Sequence, residues 1–154
     1  MNIFKSIRII PVAFAATILT ACGNDAQRQA EDLLREASER IEQGAFTEAR
    51  AAIDSLRRTY PELVEVRRKA LRLHQELELK RAQISLASTD SLLQIANREY
   101  EALQTKVEQD KAALRATPEE LTLLTKTRIW RDSLRTQFEV LGAKIRYIRQ
   151  KQKE

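Results

Sequence analysis

The sequence is poor in the residues that make disulfides, metal sites and enzyme active sites. It has one cysteine, Cys22, and one histidine, His74. One thiol cannot close a disulfide within the chain, and a single histidine without nearby cysteines lacks the partners for a zinc site or a catalytic triad. No glycine-rich phosphate loop, nucleophile elbow or metalloprotease motif occurs in the sequence. We therefore expect no enzyme, no cofactor, no metal and no small-molecule substrate.

Glycine, proline and aromatic residues are also scarce. The 154 residues include three glycines and three prolines, and 5% are aromatic. Charged residues make up 32% of the chain, and alanine, leucine, glutamate, arginine, lysine and glutamine are abundant. This composition is typical of a helical protein. The predicted fold class is all-α.

The first 22 residues have the layout of a secretory signal. Lys5 and Arg8 form a cationic start, and Ile9 to Ala21 is a largely apolar run of thirteen residues. A membrane-spanning helix needs about 20 apolar residues. The run therefore predicts a cleaved signal peptide, residues 1–21, and not a membrane-spanning helix.

The end of this signal carries the motif Leu19-Thr20-Ala21-Cys22, which resembles the lipobox of bacterial lipoproteins. The resemblance implies that the Cys22 thiol is diacylglycerated and that Cys22 becomes the acylated first residue of the mature chain. It also implies a lipid-anchored protein of the cell envelope. Gly23 stands where an aspartate would resemble an inner-membrane retention signal, so the outer membrane is the expected location. Nucleic acid is not an expected partner in that compartment.

Charge is distributed unevenly along the chain. Without residues 1–21 the chain keeps 25 basic and 22 acidic residues, a net charge of +3. Residues 126–154 hold nine basic and three acidic residues, whereas residues 22–125 hold 16 basic and 19 acidic residues. Cations stabilise the carboxyl end of a helix, and clustered cations also attract anionic headgroups, envelope polymers or acidic partners, so both readings stay open. The candidate contact patch consists of Lys144, Arg146, Arg149, Lys151 and Lys153.

Residues 26–80 carry the pattern of a helical hairpin followed by a partial third helix. A helix is predicted from about Ala26 to Gln43, and a second helix, marked by Phe46 to Leu56, ends at Thr59-Tyr60-Pro61, with Gly44 as a left-handed cap between them. One set of residues resembles a tetratricopeptide unit: Ala37, Gly44-Ala45-Phe46, Ala49, Ile53, Leu56 and Tyr60-Pro61. The resemblance implies two antiparallel helices with Phe46 and Ile53 in their seam. No second copy follows at a spacing of about 34 residues, so a peptide-binding superhelix is not expected.

Residues 81–154 are predicted to form long antiparallel helices with coiled-coil character. A set of residues recurs every seven positions: Leu79, Leu86, Leu93, Tyr100, Val107 and Leu114. Ser88 to Ser91 could cap a new helix, so Pro61 to Leu114 forms either one helix or two. Thr117-Pro118-Glu119-Glu120 predicts a capping box that starts a final helix reaching about Lys151. The predicted seam of that helix consists of Leu134, Phe138, Leu141, Ile145 and Ile148.

The final helix carries two further expectations. Trp130, Phe138 and Tyr147 are expected to be seam residues or packing anchors rather than base-stacking platforms. Gly142 lies inside the predicted helix and indicates a close approach of a neighbouring helix. The segments Arg131–Leu134 and Ala143–Ile148 resemble the ends of small uncharacterised lipoproteins of Bacteroidetes-type bacteria, which implies no particular activity.

These observations predict four segments: a signal peptide (1–21), a lipidated leash (22–25), a tetratricopeptide-like region (26–80) and a long helical hairpin (81–154). The expected function is a membrane-anchored, non-catalytic scaffold or protein–protein interaction module that binds another envelope protein. The Tyr60-Pro61 ending also resembles the repeats of outer-membrane assembly lipoproteins, so one alternative is an accessory subunit of outer-membrane protein assembly. The other alternative is a periplasmic holdase chaperone.

Overall fold

A computed structural model describes residues 19–154 of the chain, with side chains from residue 24 onward. This part of the chain forms four helices and no strand: α1 (Leu19–Glu42), α2 (Phe46–Thr59), α3 (Val64–Ala112) and α4 (Pro118–Lys151). The all-α fold class is confirmed. Residues 1–18 of the predicted signal peptide lie outside the described residues, and so does the Cys22 side chain.

Helix α1 begins at Leu19, earlier than the predicted start near Ala26. Residues 22–25 therefore lie inside the helix and do not form the predicted leash. A single glycine such as Gly23 weakens a helix by about 1 kcal/mol relative to alanine, which is not enough to end it when helix-forming residues follow.

Helices α1 and α2 pack against the first third of α3 and form the base of the molecule. Alanines are placed at the contacts between these helices, and they let the backbones approach closely. Larger side chains fill the remaining space, and Ile41, Ile53 and Leu56 are almost completely buried. The buried core of the base consists of Ala30, Ala37, Ile41, Ala49, Ala52, Ile53, Leu56, Val66, Ala70 and Leu77.

Helix α3 is one unbroken helix of 49 residues, which settles the choice between one helix and two. At 1.5 Å per residue it extends over roughly 70 Å. The Ser91 hydroxyl donates to the Ala87 carbonyl at 3.1 Å, and the Gln94 amide donates to the Asp90 carboxylate at 2.9 Å. Both bonds run along the helix, so the residues that could have capped a new helix are absorbed into a continuous one. The predicted boundary between residues 80 and 81 falls within α3.

Helix α4 runs antiparallel to α3. Lys106 of α3 pairs with Glu120 near the start of α4, and Glu78 near the other end of the contact pairs with Lys144 near the end of α4. Leu134, Ile145 and Ile148 are buried, and Phe138 and Leu141 are half-buried, as expected for the predicted seam. On α3 the matching buried residues beyond the base are Ala82, Thr89, Ala96 and Val107.

The start of α4 has the predicted capping box. The Thr117 hydroxyl accepts the Glu120 backbone N–H at 3.2 Å, and the Glu120 carboxylate accepts the Thr117 backbone N–H at 3.0 Å. Pro118 is the first helical residue, where its missing N–H leaves no hydrogen bond unmade. The sequence therefore determines this boundary locally.

Helices α1 and α3 end in the same type of turn, in which the second residue after the helix has a left-handed backbone conformation. After α1 the left-handed residue is Gly44 (φ 77°), and the Ala45 N–H donates to the Arg40 carbonyl at 2.8 Å. After α3 it is Leu114 (φ 57°), and the Arg115 N–H donates to the Asp110 carbonyl at 2.7 Å. Leu114 is 95% exposed, so its predicted place in the α3 seam is wrong. A leucine there carries the backbone strain that a glycine avoids.

We predict that Leu114→Gly stabilises the protein by about 0.5–1 kcal/mol, because it removes the left-handed strain and loses no buried contact. Urea unfolding followed by circular dichroism measures the change. Leu114→Ala keeps the strain and serves as the control, with no gain expected. Gly44→Ala should have the opposite effect and cost about 1 kcal/mol. Equal stabilities for the Leu114→Gly and Leu114→Ala proteins would contradict this account of the turn.

Candidate functional site

The proposed contact patch at the end of α4 is split between two sides of the helix. Lys144 and Lys151 are seven residues apart and share one side, whereas Arg146 lies about 200° around the helix axis and Lys153 lies beyond the end of the helix. The Lys144 ammonium donates to the Glu78 carboxylate at 2.7 Å, and the Lys151 ammonium donates to the Glu154 carboxylate at 2.7 Å. Within the described part of the chain, Arg146, Arg149 and Lys153 are exposed and form no ion pair. The five cations therefore do not form a single surface.

Glu78 is the polar contact that joins three helices. Its carboxylate accepts a hydrogen bond from Arg50 of α2 at 2.9 Å and one from Lys144 of α4 at 2.7 Å. Arg81, one turn along α3, lies at 3.8 Å. The hydrogen bond from Lys144, together with the positive charges of Lys144, Arg50 and Arg81, lowers the pKa of the Glu78 carboxyl, although partial burial opposes the shift. Lys144 therefore has a structural role that its place in the basic patch did not reveal.

The side of α4 that faces away from α3 has a regular uncharged surface. Its members are spaced four and three residues apart and are all exposed: Ile129, Ser133, Thr136, Val140, Ala143 and Tyr147. We call this set the α4 outer stripe. Its three large side chains, Ile129, Val140 and Tyr147, are each 61% exposed. Four-three spacing keeps these residues on one side of the helix, which is the arrangement that packs against a second helix.

Two sequence-based expectations for α4 are wrong. Tyr147 belongs to the outer stripe and not to the seam with α3. Gly142 does not mark a close helix approach, because a methyl group added there would meet only the end of the Arg146 side chain, at 3.6 Å. Phe138 is half-buried in the seam as expected, and Trp130 is 40% exposed.

The middle of α3 is also unusually poor in charge. Residues 82–97 contain one charged residue, Asp90. This segment exposes Ile84 and Ile95 on the side away from α4, and Leu92 beside the seam. We call these three residues the α3 outer face. Both long helices therefore expose apolar side chains on the sides that they do not use to pack against each other.

His74 lies half-buried on α3, and its Nδ1 is buried without a hydrogen-bond partner. Nearby, a groove of about 710 Å³ lies between α1 and α3, with Leu34 and Leu73 among its lining residues and Gln152 from the end of α4 at its edge. Among the described residues, no group of three or more histidine, cysteine, aspartate or glutamate side chains is arranged to hold a metal ion.

Comparisons of the chain with protein-family models, with curated proteins and with solved structures give no match. In the described part of the chain, none of the helices combines the length and the hydropathy that crossing a membrane requires.

We predict that Glu78→Gln destabilises the protein by about 1–2 kcal/mol at neutral pH, because it removes a charge that anchors α2 and α4 to α3. The folded-state pKa of Glu78 is lowered, so its contribution is present above the unfolded carboxyl pKa and is lost as the pH falls through the folded value. The difference between wild type and variant should therefore shrink below pH about 4. Urea unfolding at several pH values measures this difference in the free energy of unfolding.

The matched control is Glu76→Gln, which is also on α3. Glu76 pairs only with Lys80 of the same helix, at 3.6 Å, and the Glu76 and Lys80 side chains are 49% and 38% exposed, against 16% for Glu78. That substitution should cost no more than about 0.5 kcal/mol. A Glu78→Gln effect as small as that of the control would show that the three-helix contact does not stabilise the fold.

Proposed function

We propose that this protein is a lipid-anchored, non-catalytic lipoprotein of the cell envelope that acts as a helical spacer and presents an interaction surface to another envelope protein. The observation that supports this proposal is the unbroken 49-residue α3, which extends from the base of the molecule to the α3–α4 turn. A helix of that length holds its two ends roughly 70 Å apart.

The base lies at the end of the molecule where the proposed anchor would attach. The Tyr60 hydroxyl donates to the Gln29 side chain at 2.8 Å, so the turn between α2 and α3 lies beside the first half of α1. Gln29 is seven residues after Cys22, which corresponds to about 10 Å along a helix. An acylated Cys22 would therefore hold the base near the membrane, and the α3–α4 hairpin would project from it.

The α4 outer stripe is the surface best suited to a helical partner. It extends over five helical turns and has no charged member, whereas a helix face with no partner is usually rich in charge. Ile129, Val140 and Tyr147 would fill the seam, and tyrosine and other large apolar side chains are enriched at protein interfaces. An amphipathic helix of another envelope protein is the partner that fits this geometry.

A holdase is the second candidate, because the α3 outer face also exposes Ile84, Leu92 and Ile95. Several separate apolar surfaces suit unfolded clients, whereas a single regular stripe suits one folded partner. The two functions predict different numbers of bound proteins.

We predict that cells supplied with an alkyne-tagged fatty acid incorporate the label into the native protein and not into the Cys22→Ser variant, because only the cysteine thiol can be acylated in this way. In-gel detection after click chemistry measures the labelling. A Ser38→Ala variant, which leaves the lipobox unchanged, is the control and should be labelled like wild type. Labelling of the Cys22→Ser protein, or an unlabelled native protein, would refute the anchor.

We predict that a photo-crosslinking amino acid placed at Ile129, Val140 or Tyr147 gives one dominant crosslinked product in intact cells. The same amino acid at Arg128 or Arg135, which are exposed on α4 but outside the stripe, should give much weaker products. Gel mobility and mass spectrometry identify the partner. Many weak products from both sets of positions would support the holdase, and equal yields from both sets would exclude the stripe as the docking surface.

A further inference from the structure

Four arginines converge at the base, on a surface that the sequence analysis did not single out. Arg57 and Arg58 come from the last turn of α2, and Arg67 and Arg68 come from the start of α3. They line two adjoining open grooves of about 380 and 270 Å³, which share Arg57 and Arg67. We call these four residues the arginine cluster.

The charge of the arginine cluster is only partly compensated. Residues 57–68 contain four basic and two acidic residues, a net charge of +2; Lys69 and Arg72 line the separate groove between α1 and α3. Arg68 pairs with Glu65 at 3.2 Å, and Arg67 donates to the Pro61 carbonyl at 3.1 Å. Within residues 24–154, Arg57 and Arg58 form no ion pair, and Asp54 is the acidic residue that lines the grooves. Guanidinium groups are therefore available to an external anion.

Helix stability does not explain the whole cluster. Arg57 and Arg58 at the carboxyl end of α2 are favourable, because cations compensate the negative end of the helix dipole. Arg67 and Arg68 lie within five residues of the start of α3, where the dipole favours anions. The helix dipole therefore accounts for Arg57 and Arg58 and not for Arg67 and Arg68.

Aliphatic side chains lie among these arginines. Val64 and Leu71 are 63% and 51% exposed and line the same groove as Arg57, Arg67 and Arg68. The spacing of seven residues puts Val64 and Leu71 on one side of α3, with both arginines of that helix between them. The surface thus combines exposed aliphatic groups with cations, which is the combination found on protein surfaces that lie at the boundary between lipid headgroups and acyl chains.

We infer that the arginine cluster binds the anionic phospholipid headgroups of the leaflet that holds the lipid anchor, with Val64 and Leu71 reaching the acyl boundary. This inference rests on the proposed function, since it takes the membrane position from the acylated Cys22. The turn between α2 and α3, which connects the two pairs of arginines, lies beside the first half of α1, as the hydrogen bond between Tyr60 and Gln29 shows. The Cys22 lipid and the cluster would then make two contacts with one membrane.

The chemistry of the cluster suits phospholipids. A guanidinium group binds phosphate through two parallel hydrogen bonds. It is also more weakly hydrated than an ammonium group, so its removal from water costs less free energy. Acyl anchors and basic surfaces reinforce each other, since each cation near an anionic bilayer adds to the attraction. A small phosphate ion would gain nothing from Val64 and Leu71, and the groove that those residues line is open to solvent on one side.

The test uses the full chain with Cys22→Ser, so that acylation contributes nothing to binding. Its flotation is measured with vesicles of phosphatidylcholine alone and with vesicles in which phosphatidylglycerol is about one third of the lipid. One variant replaces Arg57, Arg58, Arg67 and Arg68 by Gln. The charge-matched control replaces Arg98, Lys111, Arg128 and Arg135 by Gln, all of them exposed and far from the base. Residues 1–21 are identical in every protein, so their contribution cancels.

We expect the gain in binding caused by phosphatidylglycerol to fall at least about tenfold in the cluster variant and to stay within about twofold in the control. Equal losses in both variants would overturn the inference, because net charge alone would then explain binding. Binding that does not depend on phosphatidylglycerol would also overturn it. Displacement by inorganic phosphate, but not by sodium chloride of equal ionic strength, would reassign the cluster to a small phosphate ligand.

Two features keep the test decisive. If circular dichroism shows that the fourfold variant has lost its helices, Arg57→Gln with Arg58→Gln removes only the two arginines that make no ion pair, and a loss of at least about threefold is expected. The acylation experiment is independent of this one. Failure of fatty-acid labelling would remove the anchor without affecting vesicle binding, whereas failure here would leave the anchor in place.

Discussion

The structure depends on the seam between α3 and α4. Beyond the base, α3 buries mainly small side chains, namely Ala82, Thr89 and Ala96, with Val107 near the far end. Small residues bring the two backbones close together, and the larger residues of α4, such as Leu134 and Ile145, fill the seam from the other side. Without α4, the projecting two thirds of α3 would expose this side to water, and propensity alone sustains long helices poorly. The extended shape therefore follows from pairing and not from α3 itself.

Polar contacts fix where this seam begins and ends. At the α3–α4 turn, Lys106 interacts with both Asp110 and Glu120, and the Thr117 capping box fixes the first turn of α4. At the base, Glu78 connects α3 to Arg50 and Lys144. An apolar seam that repeats every seven residues can still pack after one helix shifts by seven residues along the other. Paired charges at both ends therefore select one alignment of α3 and α4. These contacts contribute little stability each where they are exposed, but a shifted α4 would leave Glu78 without its partner from α4.

The sequence predicted the boundaries that local chemistry determines and missed those that tertiary contacts determine. Gly44 and the Thr117 capping box end and begin helices through bonds within a few residues, and both were correctly placed. The continuity of α3 across Ser88–Ser91 could not be read locally, because these side chains serve equally well as caps or as donors to the preceding turn. The α4 outer stripe was missed for a different reason. Helix α4 carries two four-three patterns, and the one through Leu134 is apolar throughout and was correctly predicted as the seam. The pattern through Val140 includes Ser133, Thr136 and Ala143, so apolar spacing alone did not reveal it.

The arginine cluster could not have been predicted from either of its segments alone. Arg57 and Arg58 look like ordinary carboxyl-terminal cations, and Arg67 and Arg68 look like one side of a charged helix; the turn from Tyr60 to Leu63 brings the pairs together. The end of α4 reaches the same base, because Gln152 lines the groove between α1 and α3 together with Arg35 and Arg72. The arginine cluster and the last cations of α4 therefore lie at the same end of an elongated molecule, while Lys106 pairs with both Asp110 and Glu120 at the other end. Contact between these cations and an anionic surface would direct the α3–α4 hairpin, and with it most of the uncharged stripe of α4, away from the lipid.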